Sequence, residues 1–241
     1  MKPYYKDDFV TLYNGDCRDL MPMLEHGDTC ITDPVWPNSV FPKVKDPAAL
    51  FAEMCALLKS ERLVVHLGCM SDPRFLLGVP PRMAFLRTCW LAYARPSPRG
   101  RILNGSDVAY AFGPPPSSRP GRQLLGGQHI ACRNDTKLQH SRRGNGSSDD
   151  VDYDSLPHPA PRRTEHVLWL VKTFADAAIF DPFVGTGTTL WSAKQHGLKA
   201  VGIEVEESYC EITARRCAQE QLALSSANAG VTGAELAKRP R

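Results

Sequence analysis

Apolar residues in this chain fall into short runs separated by polar, turn-forming segments, and the spacing within each run predicts its element. The first 35 residues read as strand, helix, strand: Val10 to Tyr13, then Asn14-Gly15-Asp16, a helix from Cys17 to Leu24, and Thr29 to Thr32. Leu50, Met54, Leu57 and Leu58 recur at helical spacing between Asp46 and Ser60, with Asp46-Pro47 as an N-cap followed by proline at the first helical position. A strand follows from Arg62 to Leu67. Met83 to Leu91 and Asp107 to Phe112 read as a β-hairpin whose long connection, from Ala94 to Gly105, is polar and basic.

From Gly113 to Pro161 the periodicity is lost and Pro, Gly, Ser, Arg and Asp dominate, which reads as loop or insertion. Regularity returns at Thr164 to Thr173, where Val167, Leu168 and Val171 share a helical face. An apolar run enters a glycine-rich turn at Ile179 to Thr189, and a strand from Lys199 to Ile203 ends at Glu204. A last helix carries Val205, Tyr209 and Ile212. The expected division is a core of residues 1–113 and 158–222, an insert of 114–157, and a disordered tail of 223–241.

Composition narrows the class. With 241 residues and 42% hydrophobic positions the chain can bury a sizeable core, and no run of about 18 apolar residues is present to span a bilayer. The polar N-terminus does not resemble a secretory signal, so a cytoplasmic protein without membrane contact is expected. None of the eight cysteines stands at Cys-x-x-Cys spacing and the seven histidines are unpaired, so no metal is expected. The net charge of +3 is uneven: ten basic residues lie between Arg87 and Arg143 against Asp107 and Asp135. Nine of the ten are arginine, which suits phosphates and base edges. Arg95, Arg99, Arg101, Arg119, Arg122, Arg142 and Arg143 are the candidate DNA-binding residues.

The turn Asp181-Pro182-Phe183-Val184-Gly185-Thr186-Gly187-Thr188-Thr189 joins a strand to a helix, where glycines let the backbone approach a ligand closely. It is not a dinucleotide fingerprint, because Leu190 stands where a third glycine is needed. Nor is it a phosphate loop, because no Gly-Lys-Ser/Thr follows. A carboxylate, Glu204, ends the next apolar run 19 positions beyond Gly185, where it can accept both hydroxyl protons of a ribose.

This combination resembles the cofactor site of S-adenosylmethionine-dependent DNA amino-methyltransferases, which methylate adenine N6 or cytosine N4. Asp33-Pro34-Val35-Trp36 is similar to the catalytic motif of the same group, Asp/Asn/Ser-Pro-Pro-Tyr/Phe/Trp, with Val35 in place of the second proline. Because that motif precedes the glycines, the order resembles the permuted β class. His158-Pro159-Ala160-Pro161-Arg162-Arg163 resembles the family's His-Pro-x-x-Lys-Pro entry to a helix beside the methionine moiety, with Arg-Arg for Lys-Pro. The resemblance covers roughly residues 10–112 and 158–216 and leaves the arginine-rich insert, expected to be a target-recognition region, unmatched.

The resemblance implies an α/β fold of the Rossmann-like class I methyltransferase type, a mostly parallel twisted sheet with helices on both faces and one antiparallel strand near its edge. It implies S-adenosylmethionine as cofactor and DNA as partner, with the target base flipped out, in a monomer or homodimer. Asp33, Pro34 and Trp36 are then catalytic. Asp16 and Cys17 face the cofactor adenine, Phe183 borders it, Gly185 and Gly187 admit the methionine end, Asp181, Thr188 and Thr189 line the turn, and Glu204 holds the ribose. Asp33 favours adenine N6, since N4 enzymes more often carry serine there. Rival readings are cytosine N4 methylation, the same chemistry on RNA or a protein amide, and a catalytically weak nucleic-acid-binding protein. Cytosine C5 methylation is set aside because no cysteine follows a proline.

Overall fold

A computed structural model describes residues 1–36, 44–68, 70–118, 126–130 and 162–228. The described strands form one nine-stranded sheet: β1 (Tyr5–Lys6), β2 (Val10–Asn14), β3 (Thr29–Thr32), β4 (Arg62–Gly68), β5 (Phe85–Arg99), β6 (Ile102–Phe112), β7 (Gln128–Ile130), β8 (Ala178–Asp181) and β9 (Lys199–Glu204). Their spatial order is β1-β2-β9-β8-β3-β4-β6-β5-β7. The run β2-β9-β8-β3-β4 is parallel throughout. The expected mostly parallel sheet is therefore present, but antiparallel pairing occurs toward both edges, at β1 with β2 and at β6 with β4 and β5.

Period-2 alternation sends neighbouring side chains of each strand to opposite faces. On β4, Val64 packs with Val167, Leu170 and Phe174 of α3 (Thr164–Phe174), Leu190 of α4 (Thr188–Gln195), and Cys210 and Cys217 of α5 (Glu207–Asn228). Leu63, Val65 and Leu67 pack on the other face with Cys17 of α1 (Cys17–Leu20) and Phe51, Met54 and Cys55 of α2 (Pro47–Leu57). Helices thus cover both faces of the sheet, as a doubly wound fold requires. Asp46 caps α2 by accepting from the backbone N–H groups of Ala48 and Ala49, each at 3.0 Å. The described cysteines are buried thiols.

The hairpin differs from expectation. Its long basic connection is strand: β5 and β6 run on to a tight turn at Gly100, whose φ is +62°. Pairing slips between Ala92 and Ser97 and resumes from Ser97 opposite Asn104. Among the described residues β7 pairs only with residues 90–92 of β5, which leaves Pro96 and Pro98 on an outer edge where proline is tolerated. Two further differences are smaller. The segment read as irregular holds β7, and α5 continues past Ala223 to Asn228. Among the described residues no helix is long and apolar enough to cross a membrane.

Candidate active site

Strand β9 lies on one side of β8 and β4 on the far side of β3, so the order of connections reverses between β8 and β3. That switch point is where the carboxyl ends of parallel strands leave a crevice for ligands. Asp181 ends β8, and Asp33 follows β3 directly. Thr32 Oγ1 donates to Asp181 Oδ1 at 2.8 Å and Phe183 N–H donates to the same oxygen at 3.0 Å. Burial pushes the Asp181 carboxyl up to about 6, against the lowering effect of those hydrogen bonds.

The glycine turn is shaped by two residues with positive φ, Gly185 at +54° and Gly187 at +83°. A Cβ on Gly187 would lie 2.7 Å from Thr213 of α5, so this glycine is required by backbone conformation and by packing alike. Gly185 N–H donates to Glu204 Oε2 at 2.7 Å and Glu206 N–H to Glu204 Oε1 at 2.8 Å. These bonds aim the carboxylate across the turn. Burial nevertheless pushes Glu204 up to about 7.

A cavity of about 480 Å³ opens above these strand ends, lined by Asp16, Cys17, Asp33, Phe183, Gly185 and Glu204 among others. Asp16 caps α1 and is clasped by Arg18, which donates from Nε at 2.9 Å and Nη2 at 2.6 Å. Arg18 holds that carboxyl below the usual range. Cys17 is largely buried at the cavity wall, and burial pushes its thiol up to about 12, which disfavours the thiolate. A smaller adjoining cavity of about 50 Å³ is bordered by Asp33, His66, Arg162, Asp181, Thr188 and Thr189. Thr188 Oγ1 accepts from Arg216 Nη1 at 3.0 Å.

Asp33 is not open. Arg162 donates from Nε to Asp33 Oδ2 at 2.5 Å and from Nη2 to Oδ1 at 2.6 Å. Trp36 Nε1 donates to Asp33 Oδ1 at 3.0 Å, and the Arg162 guanidinium carbon stands 4.0 Å from the Trp36 ring centroid. The indole rests against Gly68 at the end of β4, where a Cβ would come within 2.9 Å of it. Behind Arg162 lies a layer that spacing along the chain did not reveal. Its Nη1 is 3.2 Å from Asp107 Oδ2, while Tyr93 donates its hydroxyl to Asp107 Oδ1 at 2.5 Å. His66 Nε2 is 3.4 Å from Asp107 Oδ2, and His66, Asp107 and His166 bring ligating atoms within 4.8 Å of one another. They come from β4, β6 and α3, so only the assembled sheet places them together.

The structure therefore brings Asp16, Cys17, Asp33, Phe183, Gly185 and Glu204 around one cavity, with Asp181, Thr188 and Thr189 beside it. Pro34 is buried between Asp33 and the partly buried Trp36. Arg101 is exposed at the hairpin tip. Arg95 and Arg99 lie on β5 with side chains outside the described residues, and Arg119, Arg122, Arg142 and Arg143 fall outside them altogether. Arg18, Tyr93, His66, Asp107 and His166 are site residues not anticipated from the sequence. Arg162 was, as a departure from the expected lysine.

The family model of the N6/N4 methyltransferases, described as DNA methylase, matches residues 35–215. Among curated proteins, the type II methyltransferase M.ScaI of Streptomyces caespitosus is 36% identical over 69 residues, which is 28% of this chain and 23% of that protein. The chain thus aligns with less than a quarter of the length of that relative. The structure of M1.HpyAVI in complex with SAM is similar at TM-score 0.62 and 16% identity, covering 86% of this chain and 98% of that one. The cytosine-N4-specific PvuII DNA methyltransferase is similar at TM-score 0.65 and 14% identity, covering 89% and 88%. TTHA0409 of Thermus thermophilus, a putative DNA modification methylase complexed with S-adenosyl-L-methionine, gives TM-score 0.55 at 19% identity, covering 87% and 95%. The chain belongs to the N6/N4 methyltransferase family of DNA methylases.

Proposed function

We propose that this member of the DNA methylase family transfers a methyl group from S-adenosylmethionine to an exocyclic base amine of DNA, at adenine N6. The observation that carries the reading is convergence: Asp33, from the motif after β3, and the glycine turn with Glu204, from β8 and β9, border the same cavity. Its volume of about 480 Å³ suits a nucleoside-sized ligand, and the carboxylates of Asp16 and Glu204 and the Phe183 ring all line it. These residues fit the cofactor. Glu204 would hold the ribose hydroxyls, Asp16 the adenine amine, and the glycine turn the amino-acid end. When bound, S-adenosylmethionine supplies a methyl group on a positively charged sulfur.

The chain's own part is to make a poor nucleophile competent. An exocyclic amine delocalises its lone pair into the ring. Asp33 accepts one N–H and the Pro34 carbonyl the other, which favours the pyramidal amine and stabilises the positive charge that develops on it. Trp36 stacks on the flipped base and replaces the stacking lost from the duplex. The amine nitrogen bonds the methyl carbon as the carbon–sulfur bond breaks, and the proton it then sheds passes by way of Asp33 to solvent. Support for adenine is Asp33 at the first position of the motif. Cytosine N4 is the second reading, favoured by the structural similarity to the cytosine-N4-specific PvuII enzyme.

The test incubates the protein with methyl-labelled S-adenosylmethionine and, separately, unmethylated duplex DNA, single-stranded DNA and RNA, followed by digestion to nucleosides. Label in N6-methyladenine of DNA is the expected outcome. Label in N4-methylcytosine transfers the mechanism to the other base, label in RNA moves the substrate class, and no label with cofactor binding intact selects a non-catalytic DNA-binding role.

A further inference from the structure

We propose that Arg162 is the resident occupant of the target-base pocket: without DNA its guanidinium stands where the base will stand, and the base enters as Arg162 withdraws. The inference rests on the reading of Asp33 and Trp36 as the base site. A flipped base needs N–H contact with Asp33 and stacking on Trp36. Arg162 makes both at once, through two N–H bonds of 2.5 and 2.6 Å to the Asp33 oxygens and a stacking distance of 4.0 Å. A planar, delocalised group with N–H donors on its edge is the side chain most similar to an aminated heterocycle. The indole is backed by Gly68 and tied to Asp33 through Nε1, so ring and carboxylate form one rigid receptor, and it holds one planar donor at a time.

The withdrawal has a destination. Arg162 Nη1 already lies 3.2 Å from Asp107 Oδ2, so leaving Asp33 does not leave a buried guanidinium unpaired. His166 Nε2 faces the Ala92 carbonyl at 3.0 Å and must donate to it, which leaves Nδ1 as a lone-pair acceptor; that buried atom has no hydrogen-bond partner. His66 Nε2 is buried 3.4 Å from Asp107 Oδ2, where only its N–H can face the carboxylate, so it steadies Asp107 rather than accepting. Asp107 and His166 Nδ1 form a second seat of acceptors behind the first. Their arrangement has the composition of a metal site, but Tyr93 occupies one Asp107 oxygen and Arg162 approaches the other, so the cation this cluster is built to take is the guanidinium.

The test is steady-state methylation of unmethylated duplex DNA by Arg162→Lys, which keeps the positive charge but neither forks across both oxygens nor stacks as a plane. An occupant that leaves the pocket free in only ~10% of molecules weakens apparent DNA affinity about tenfold, so the variant is expected to lower the KM for DNA by about that factor, with the gain in kcat/KM carried by KM. A kcat lowered tenfold at unchanged KM would overturn the proposal and make Arg162 a positioning residue for Asp33. Unchanged constants would overturn it too, as an inert contact. If the lysine variant melts early, Arg162→Met combined with Asp107→Asn removes the guanidinium and one of its two paired carboxylates and is read the same way. Asp33→Ala run alongside separates the two ideas: wild-type transfer by Asp33→Ala removes the base site itself, whereas loss of transfer there leaves the Arg162 result to decide the occupant alone.

Discussion

Glu204 and Asp33 stand at the carboxyl ends of two parallel strands separated by β8 and border one cavity, yet they are held by different kinds of partner. Glu204 takes its bonds from the backbone N–H groups of Gly185 and Glu206. Asp33 takes its bonds from the side chains of Arg162 and Trp36. Backbone donors are fixed once the turn has folded and cannot leave. A guanidinium can exchange one carboxylate for another. The end proposed to hold the cofactor is therefore preformed, and the end proposed to receive the base is occupied by a group that would compete for Asp33.

Asp33→Ala breaks the comparison at its base end and has the largest expected effect. Preorganised acceptors of this kind are worth about 10²–10³ in rate, and loss of the carboxylate is expected to reduce methyl transfer by at least that factor. Affinity for S-adenosylmethionine, measured by calorimetry, should stay within a few-fold. Loss of both together would mean that the cavity had collapsed rather than that chemistry was lost.

Gly187→Ala tests the preformed end. The left-handed backbone at +83° disfavours any Cβ by about 1–2 kcal/mol, and crowding against Thr213 at 2.7 Å adds overpacking of about 1–3 kcal/mol. The expected outcome is a lower melting temperature together with lost cofactor binding, since the turn cannot keep its shape. Unchanged melting would show that α5 yields at Thr213.

The same contrast explains what the chain could disclose before it was folded. The glycine turn is contiguous, and its strand, glycines, helix and terminal carboxylate follow in order, so their succession was legible from spacing. Helix α2 was legible from its Asp46-Pro47 start and the spacing of Leu50, Met54 and Leu57, and strands β3 and β4 as short apolar runs buried on both faces. The pairing of Asp33 with Arg162 joins residues 129 positions apart, and the seat behind it draws on β4, β6 and α3. No local pattern encodes such a meeting. The hairpin was misread for another reason: Pro96 and Pro98 are poor strand residues, and they fall on a stretch of β5 that is an outer edge among the described residues.

Acidity sharpens the comparison further. Glu204 is raised from 4.5 to about 7 by burial, with the two N–H bonds opposing. Between those values the folded chain retains a proton that the unfolded chain has lost, so stability falls as pH rises across that window and levels off above about 7. Cofactor binding runs the other way, because the ionised carboxylate is the better acceptor for ribose hydroxyls. Wild-type affinity for S-adenosylmethionine is expected to rise several-fold from about pH 6 to about pH 8, and Glu204→Gln to be weaker and flat over the same range. Asp181, raised to about 6, contributes to stability with the same sign and its charge helps raise Glu204, so the difference between wild type and Glu204→Gln in thermal melts reads Glu204 together with that coupling.

The smallest effect belongs to Asp16, which has two tasks that substitution can divide. Its Oδ1 accepts from Arg18 N–H at 2.9 Å as the cap of α1, while its side chain borders the cofactor cavity. Asparagine retains a capping oxygen and loses the charge; alanine loses both. Asp16→Ala is expected to cost about 1 kcal/mol of stability through the lost cap, and Asp16→Asn a few tenths. If the carboxylate accepts from the adenine amine of the cofactor, both variants lower affinity for S-adenosylmethionine by a similar few-fold factor in spite of their different stabilities. If affinity instead follows stability from asparagine to alanine, Asp16 serves the cavity only by starting the helix beside it, and Glu204 and the glycine turn carry cofactor recognition at that end.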